Sequence, residues 1–133
     1  MLEVEVFGAE ILRGGPPFDE VRRLCVLAAT SANVDEGHVA ITFVDSGRIA
    51  ELNAIHRAKS TATDVLSFPI DGAGPLAGPG PRELGDVVIC PQHTSDLREA
   101  VVHGVLHLLG MDHEADEGEM LALQRRLLDE DAR

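Results

Sequence analysis

Eleven residues constrain the fold of this chain more than any other stretch: His103-Gly104-Val105-Leu106-His107-Leu108-Leu109-Gly110-Met111-Asp112-His113. Up to Gly110 the run is apolar enough for a buried helix. Residues four apart on a helix share a face, so the imidazoles of His103 and His107 point the same way, one turn apart. Gly110 falls where helices end, because glycine takes the left-handed conformation just past the cap at little steric cost. A chain that turns back there brings His113 to the same point in space. Three neutral imidazoles with one position left open are the ligand set of a catalytic zinc site.

Leu97, Val101, Val105 and Leu108 form a stripe opposite the two helical histidines, and Val102, Leu106 and Leu109 form a second beside it. The helix is thus apolar around most of its circumference, with His103 and His107 on the remaining strip. One buried histidine is ordinary core, but burying two imidazoles without partners is costly. The metzincin zinc peptidases carry H-E-x-x-H-x-x-G-x-x-H. The histidines and the glycine match, whereas Gly104 stands in place of the glutamate that serves as general base in peptide hydrolysis. The spacing predicts a metal hydrolase with a different helper and disfavours a peptidase.

With 133 residues, 44% of them hydrophobic, the chain is expected to form a single hydrolase domain over residues 1–133. No apolar run approaches the ~20 residues that cross a bilayer, and the N-terminus lacks a signal-peptide layout. Cys25 and Cys90 read as two buried free thiols, which points to a reducing cytoplasm. The net charge of −12 argues against tight, autonomous binding to free nucleic acid. Residues 112–133 hold eight Asp and Glu against three Arg, a net of −5. The only lysine, Lys59, lies near Arg57 and Arg48, where a local positive funnel could form. With no Trp, no Tyr and four Phe, the chain has few platforms on which bases could stack.

The coarse reading is α+β, a mixed sheet of about four strands with about four helices. Leu2 to Phe7 alternates as a half-buried strand, broken by Gly14-Gly15-Pro16-Pro17. A helix then follows with Asp19 at its start and Phe18, Val21, Leu24, Cys25 and Ala28 as its core stripe, fading near Asn33. His38 to Asp45 reads as a strand. Asp45-Ser46 caps a short helix that buries Ile49, Leu52 and Ile55. His38 and His56 read as surface or packing residues. Asp64 to Phe68 resumes a strand. Residues 71–82, with four Gly and three Pro, form an irregular loop, either a lid or a long hairpin connection. Glu83 to Cys90 is another strand, and Thr94-Ser95-Asp96 with Glu99 caps the histidine helix. Glu114 to Asp131 closes the chain as an amphipathic helix through Met120, Leu121, Leu123, Leu127 and Leu128. Asp112 and Glu114 read as solvated turn and helix-start residues, and Asp64 and Asp86 as structural residues at strand starts.

Three segments together resemble the YbeY family of bacterial rRNA-maturation endoribonucleases. They are the histidine run, Leu52-Asn53 followed by Arg57 and Thr63-Asp64-Val65-Leu66-Ser67-Phe68-Pro69, and Leu84-Gly85-Asp86-Val87-x-Ile89-Cys90-Pro91. The resemblance implies a mixed α+β fold that holds one zinc ion through His103, His107 and His113, and an essential arginine matching Arg57. It further implies single-strand-specific RNA cleavage, 3′-end maturation of small-subunit (16S) rRNA and ribosome quality control, with rRNA and ribosomal or assembly proteins as partners. Two positions depart from the pattern. His56 stands where an aromatic is common, and Met111 where a tyrosine is common.

Phosphodiester hydrolysis needs an activated nucleophile and cationic help for charge developing on the phosphorus oxygens. Three-histidine zinc supplies the first by lowering the pKa of bound water to about 7, or acts as a Lewis acid. Arg57 suits the second role through its planar fork, and Lys59 is a candidate for holding the RNA backbone. No residue of the motif replaces the missing glutamate, and the RNA 2′-hydroxyl is an alternative nucleophile. The competing reading is a ribosome-assembly factor whose zinc site is mainly structural.

Overall fold

The computed structural model describes residues 1–57, 63–76 and 78–132, Arg57 in its backbone only. The strands are β1 (Leu2–Phe7), β2 (Gly37–Phe43), β3 (Val65–Pro69) and β4 (Glu83–Ile89). The helices are α1 (Phe18–Ser31), α2 (Ser46–Arg57), α3 (Leu97–Leu108) and α4 (Glu119–Asp131), with short 3-10 turns at Ala9–Ile11 and Pro91–His93. The expected α+β class with a four-stranded mixed sheet is borne out. Strand order is β1-β2-β4-β3, with β1, β2 and β4 parallel and β3 antiparallel to β4.

The core follows from strand alternation. Leu2, Val4, Val39, Ile41, Phe43, Val87 and Ile89 pack against Val21, Leu24, Cys25 and Ala28 of α1 and Val101, Val102, Val105 and Leu108 of α3. The opposite face of β3 and β4 presents Leu66 and Val88, with half-buried Phe68, to Ile49 and Leu52 of α2. Two free thiols are buried, as expected, and burial pushes that of Cys25 up to about 12.

Several sequence expectations fall at element ends. Phe18 is 49% exposed because it opens α1 one turn before the helix meets the sheet, and Ala29 fills the core instead. Ile55 is 70% exposed, and the buried side of α2 is completed by Asn53. The last helix starts at Glu119 rather than Glu114, and its Leu121 is partly exposed. The delay has a cause: acidic side chains bind backbone N–H groups in the intervening loop. Asp112 Oδ1 accepts from Glu114 N (3.0 Å), while Asp116 accepts from Gly118 N (2.8 Å) and Met120 N (2.9 Å). Such side chains offer the backbone an alternative to helix.

The pairing of β3 with β4 makes the segment between them, in which Ala77 lies outside the described residues, the connection of a hairpin. Its base is held by Glu83 N donating to Asp71 Oδ2 (2.7 Å) and by Arg82 Nη1 donating to Gly72 O (2.5 Å).

Candidate metal centre

Asp96 caps α3 as expected, its carboxylate accepting from Glu99 N at 3.1 Å. The other end closes by two reversed bonds, Gly110 N to His107 O (3.0 Å) and Met111 N to Leu106 O (3.1 Å), with Gly110 at φ 101°. This is the paired-bond termination that a left-handed glycine permits, and it turns the chain so that His113 meets the two helical histidines. Ring centroids of His103 and His107 lie 4.7 Å apart, those of His103 and His113 5.0 Å, and those of His107 and His113 5.4 Å. One nitrogen from each of the three lies within 4.8 Å of the others.

The outward nitrogens of the helical pair are engaged. His103 Nδ1 donates to Gln124 Oε1 (2.8 Å) and His107 Nδ1 to Met111 O (2.9 Å). With Nδ1–H used as donor, the neutral tautomer leaves Nε2 with its lone pair, and the two Nε2 atoms approach to 3.1 Å. Two lone pairs at that separation have no proton to share, whereas a cation between the rings satisfies both. A hydrogen-bonded Nδ1–H is also the usual way in which a ligating histidine is oriented. Burial pushes His107 below the ordinary histidine range, with the neighbouring His103 adding to the effect, so neutral imidazole is favoured. The donor set therefore fits a divalent metal.

Gly104 has a packing reason. A Cβ there would run into Val87 Cγ1 of β4, so α3 lies against the sheet more closely than any side chain would allow. The Ser67 hydroxyl of β3 donates to Gly104 O (3.2 Å) across the same seam. The position that is glutamate in metzincins is thus a contact surface here.

A cavity of about 650 Å3 opens over the histidines. Thr63 to Pro69 form one wall, and His56, Asp112 and Glu114 complete the lining. Asp112 and Glu114, read from sequence as solvated turn and helix-start residues, thus belong to the cavity wall, and Glu114 lies outside the helix. His56, read as a surface or packing residue, lines the cavity with its ring edge-on to Phe68, centroids 4.7 Å apart. The funnel expectation is corrected at one residue: Arg48 pairs with Glu51 (3.4 Å) and does not line the cavity. Lys59 and the side chain of Arg57 lie outside the described residues. Asp64, assigned a structural role, accepts from Val65 N at 2.9 Å and also reaches the cavity.

Sequence reasoning missed Gln124, which is 7% exposed. Its signal was present: Met120, Leu123, Gln124 and Leu127 share the inward face of α4, and an amide among apolar residues at helical spacing asks for a buried partner.

A mixed sheet with a three-histidine cluster on the helix and turn beside its antiparallel edge strand defines an α+β protein whose candidate metal site lies in a cavity open to a sizeable ligand. The profile of the endoribonuclease YbeY family matches residues 19–131. The chain belongs to that family, a family of nucleases. It is 36% identical over 126 residues to the endoribonuclease YbeY of Macrococcus caseolyticus, covering 82% of each chain. It is 37% identical over 129 residues to that of Bacillus mycoides, covering 82% of this chain and 83% of the relative. The solution structure of TM1509 from Thermotoga maritima shares the fold, with a TM-score of 0.54 and 22% identity over 96% of this chain and 88% of the other.

Proposed function

We propose that the chain is a zinc-dependent endoribonuclease specific for single-stranded RNA, formed as one domain over residues 1–133. Its place is the cytoplasm, where it acts on the 3′ end of small-subunit (16S) rRNA and in ribosome quality control, beside ribosomal or assembly proteins. The observation that carries the reading is the three-histidine cluster inside an open cavity, in a chain of an endoribonuclease family. His103, His107 and His113 are the residues that would hold the ion. Bound zinc supplies Lewis acidity and lowers the pKa of a coordinated water to about 7.

The chain's own groups do the rest. Gln124 and Met111 O hold the His103 and His107 tautomers that leave Nε2 free for the ion. Arg57 ends α2, one residue after the cavity-lining His56. Its assigned role is to clasp two oxygens of the scissile phosphate and stabilise charge that develops there. Lys59 is assigned to the RNA backbone on either side.

Purified protein should cut single-stranded RNA only when zinc is bound, losing the activity to a chelator and regaining it with zinc. Arg57→Ala should keep its zinc and cut about a hundredfold more slowly, the order expected for losing one strong electrostatic donor. Cleavage indifferent to chelation would overturn the zinc reading, and wild-type rates from Arg57→Ala would remove that residue from the chemistry.

One observation favours a second reading. Among the described residues, the cavity lining contains Asp64, Asp112 and Glu114 but no Lys or Arg, which suits a factor that leaves RNA binding to its partners. On that reading chelation lowers the melting temperature, while pure protein shows no metal-dependent cleavage.

A further inference from the structure

Rings are scarce in this chain, and their placement is uneven. Of its four Phe, Phe43 is buried while Phe7 and Phe18 are exposed away from the cavity. Phe68 alone among them reaches the cavity over the metal cluster, and it does so beside His56. The two ring planes meet at 63° with centroids 4.7 Å apart, forming a corner. A flat base laid on either ring meets the other by its edge, the edge-to-face geometry that aromatic systems favour. His56 is exposed, so its ring contributes little to the core that Phe68 shares with α2.

Charge narrows what this corner can bind. Carboxylates of Asp64, Asp112 and Glu114 line the same cavity, and they repel phosphate while leaving a neutral base untouched. Among the described lining residues, attraction for a nucleic acid therefore comes from ring faces. Stacking on such faces tolerates any sequence, because every base has a π-surface. A paired base is already stacked within its duplex, and extracting it costs a few kcal/mol.

We propose that His56 and Phe68 form a stacking corner for one unpaired base next to the scissile phosphate, and that this corner selects single strands over duplexes. The proposal rests on the endoribonuclease reading and adds the residues that grip the substrate. It also gives the exposed, cavity-lining His56 a role.

The test uses zinc-loaded protein and a short single-stranded oligoribonucleotide with 2-aminopurine at successive positions, whose fluorescence falls when the base stacks. Wild type should quench the probe at one position near the cut and leave the matching duplex unchanged. His56→Ala should abolish the quenching and raise KM about fivefold or more, in keeping with the loss of one stacked base, with kcat and zinc content unchanged. His56→Phe should restore both signals, which a merely structural histidine would not do. Phe68→Leu, which keeps apolar contact with α2, should also weaken quenching. If no position is quenched, or if quenching and KM survive both His56→Ala and Phe68→Leu, the corner is wrong. Quenching without any cleavage would keep the corner and overturn the nuclease reading; cleavage without quenching would do the reverse.

Discussion

Histidine does opposite jobs at two places in this fold, one on strand β2 and one on helix α3. His38 on β2 lies between two carboxylates, with Nδ1 at 2.7 Å from Glu83 and Nε2 at 2.6 Å from Glu5. Strand register puts Glu83 across from it, so the three side chains tie β1, β2 and β4 together. Hydrogen bonds to Glu83 and Glu5 raise its pKa against a smaller opposing effect of burial. His107 has a backbone carbonyl on one side and other imidazoles on the other, and burial lowers its pKa. The first environment keeps a proton and makes an ion pair. The second sheds the proton and leaves a lone pair for a metal. Residue type alone does not distinguish them; the neighbours do.

The sharpest break of this comparison is mutational. His107→Ala should remove the metal and take RNA cleavage to background, whereas His38→Ala should leave both metal content and cleavage near wild type. Elemental analysis and a cleavage assay on the two proteins settle it, and metal loss from His38→Ala would dissolve the distinction. Next in size is Gln124→Ala. Losing the acceptor behind His103 should weaken zinc affinity about 10- to 100-fold with the fold retained, the range seen when a ligand's hydrogen-bonding partner is removed. Competition with a chromophoric chelator would measure it.

Gly104→Ala probes the seam rather than the ligands. The added methyl meets Val87, and overpacking of this kind costs about 1–3 kcal/mol. A fall in denaturation midpoint is expected, together with weaker metal binding as α3 shifts.

The smallest effect is one of pH, and its sign differs between the two sites. A raised histidine pKa contributes stability in full below about 6.5, and that contribution is lost as pH climbs through the folded-state value. His38→Gln should thus lower the melting temperature by up to about 4 °C at pH 6 and by less at pH 9. In the metal-free protein, His107 acts in the other direction. Its native state prefers the neutral form, so stability falls as pH drops below about 6.5. Thermal melts of chelated protein across this range would show the two slopes, and a His38 effect that grows with pH would reverse the assignment.

Much of this was legible in the chain itself. The histidine cluster was readable because i, i+4 spacing and a helix-ending glycine are local geometry, and Asp96 and Gly110 ended α3 where their chemistry predicts. Strand alternation in β1 was equally plain. What escaped depended on contacts between distant segments. His38 meets Glu5 and Glu83, 33 and 45 residues away, and no local pattern records that. His103 meets Gln124 across a loop whose acidic residues bind backbone, which also hid the true start of α4. Gly104 was seen as a missing glutamate; that it lets α3 approach β4 needed the sheet.

The attachment of α4 has a consequence for how His103 is held. At its far end the Asp131 side chain, 2% exposed, is gripped by Arg23 of α1 and by Arg98 of α3 (2.6 Å), and Arg98 also meets Glu20 (2.6 Å). The two guanidiniums, Arg23 first, hold the Asp131 carboxyl below the usual carboxylate range. Asp116 captures Met120 N near the start of the same helix. Anchored at both ends, α4 presents the Gln124 carbonyl oxygen to His103 at 2.8 Å. The ordering of the His103 ring is then settled during folding, and uptake of a metal at this candidate site would need little rearrangement. Loosening Asp131 should then register more than ten residues away, as slower capture and faster escape of the ion.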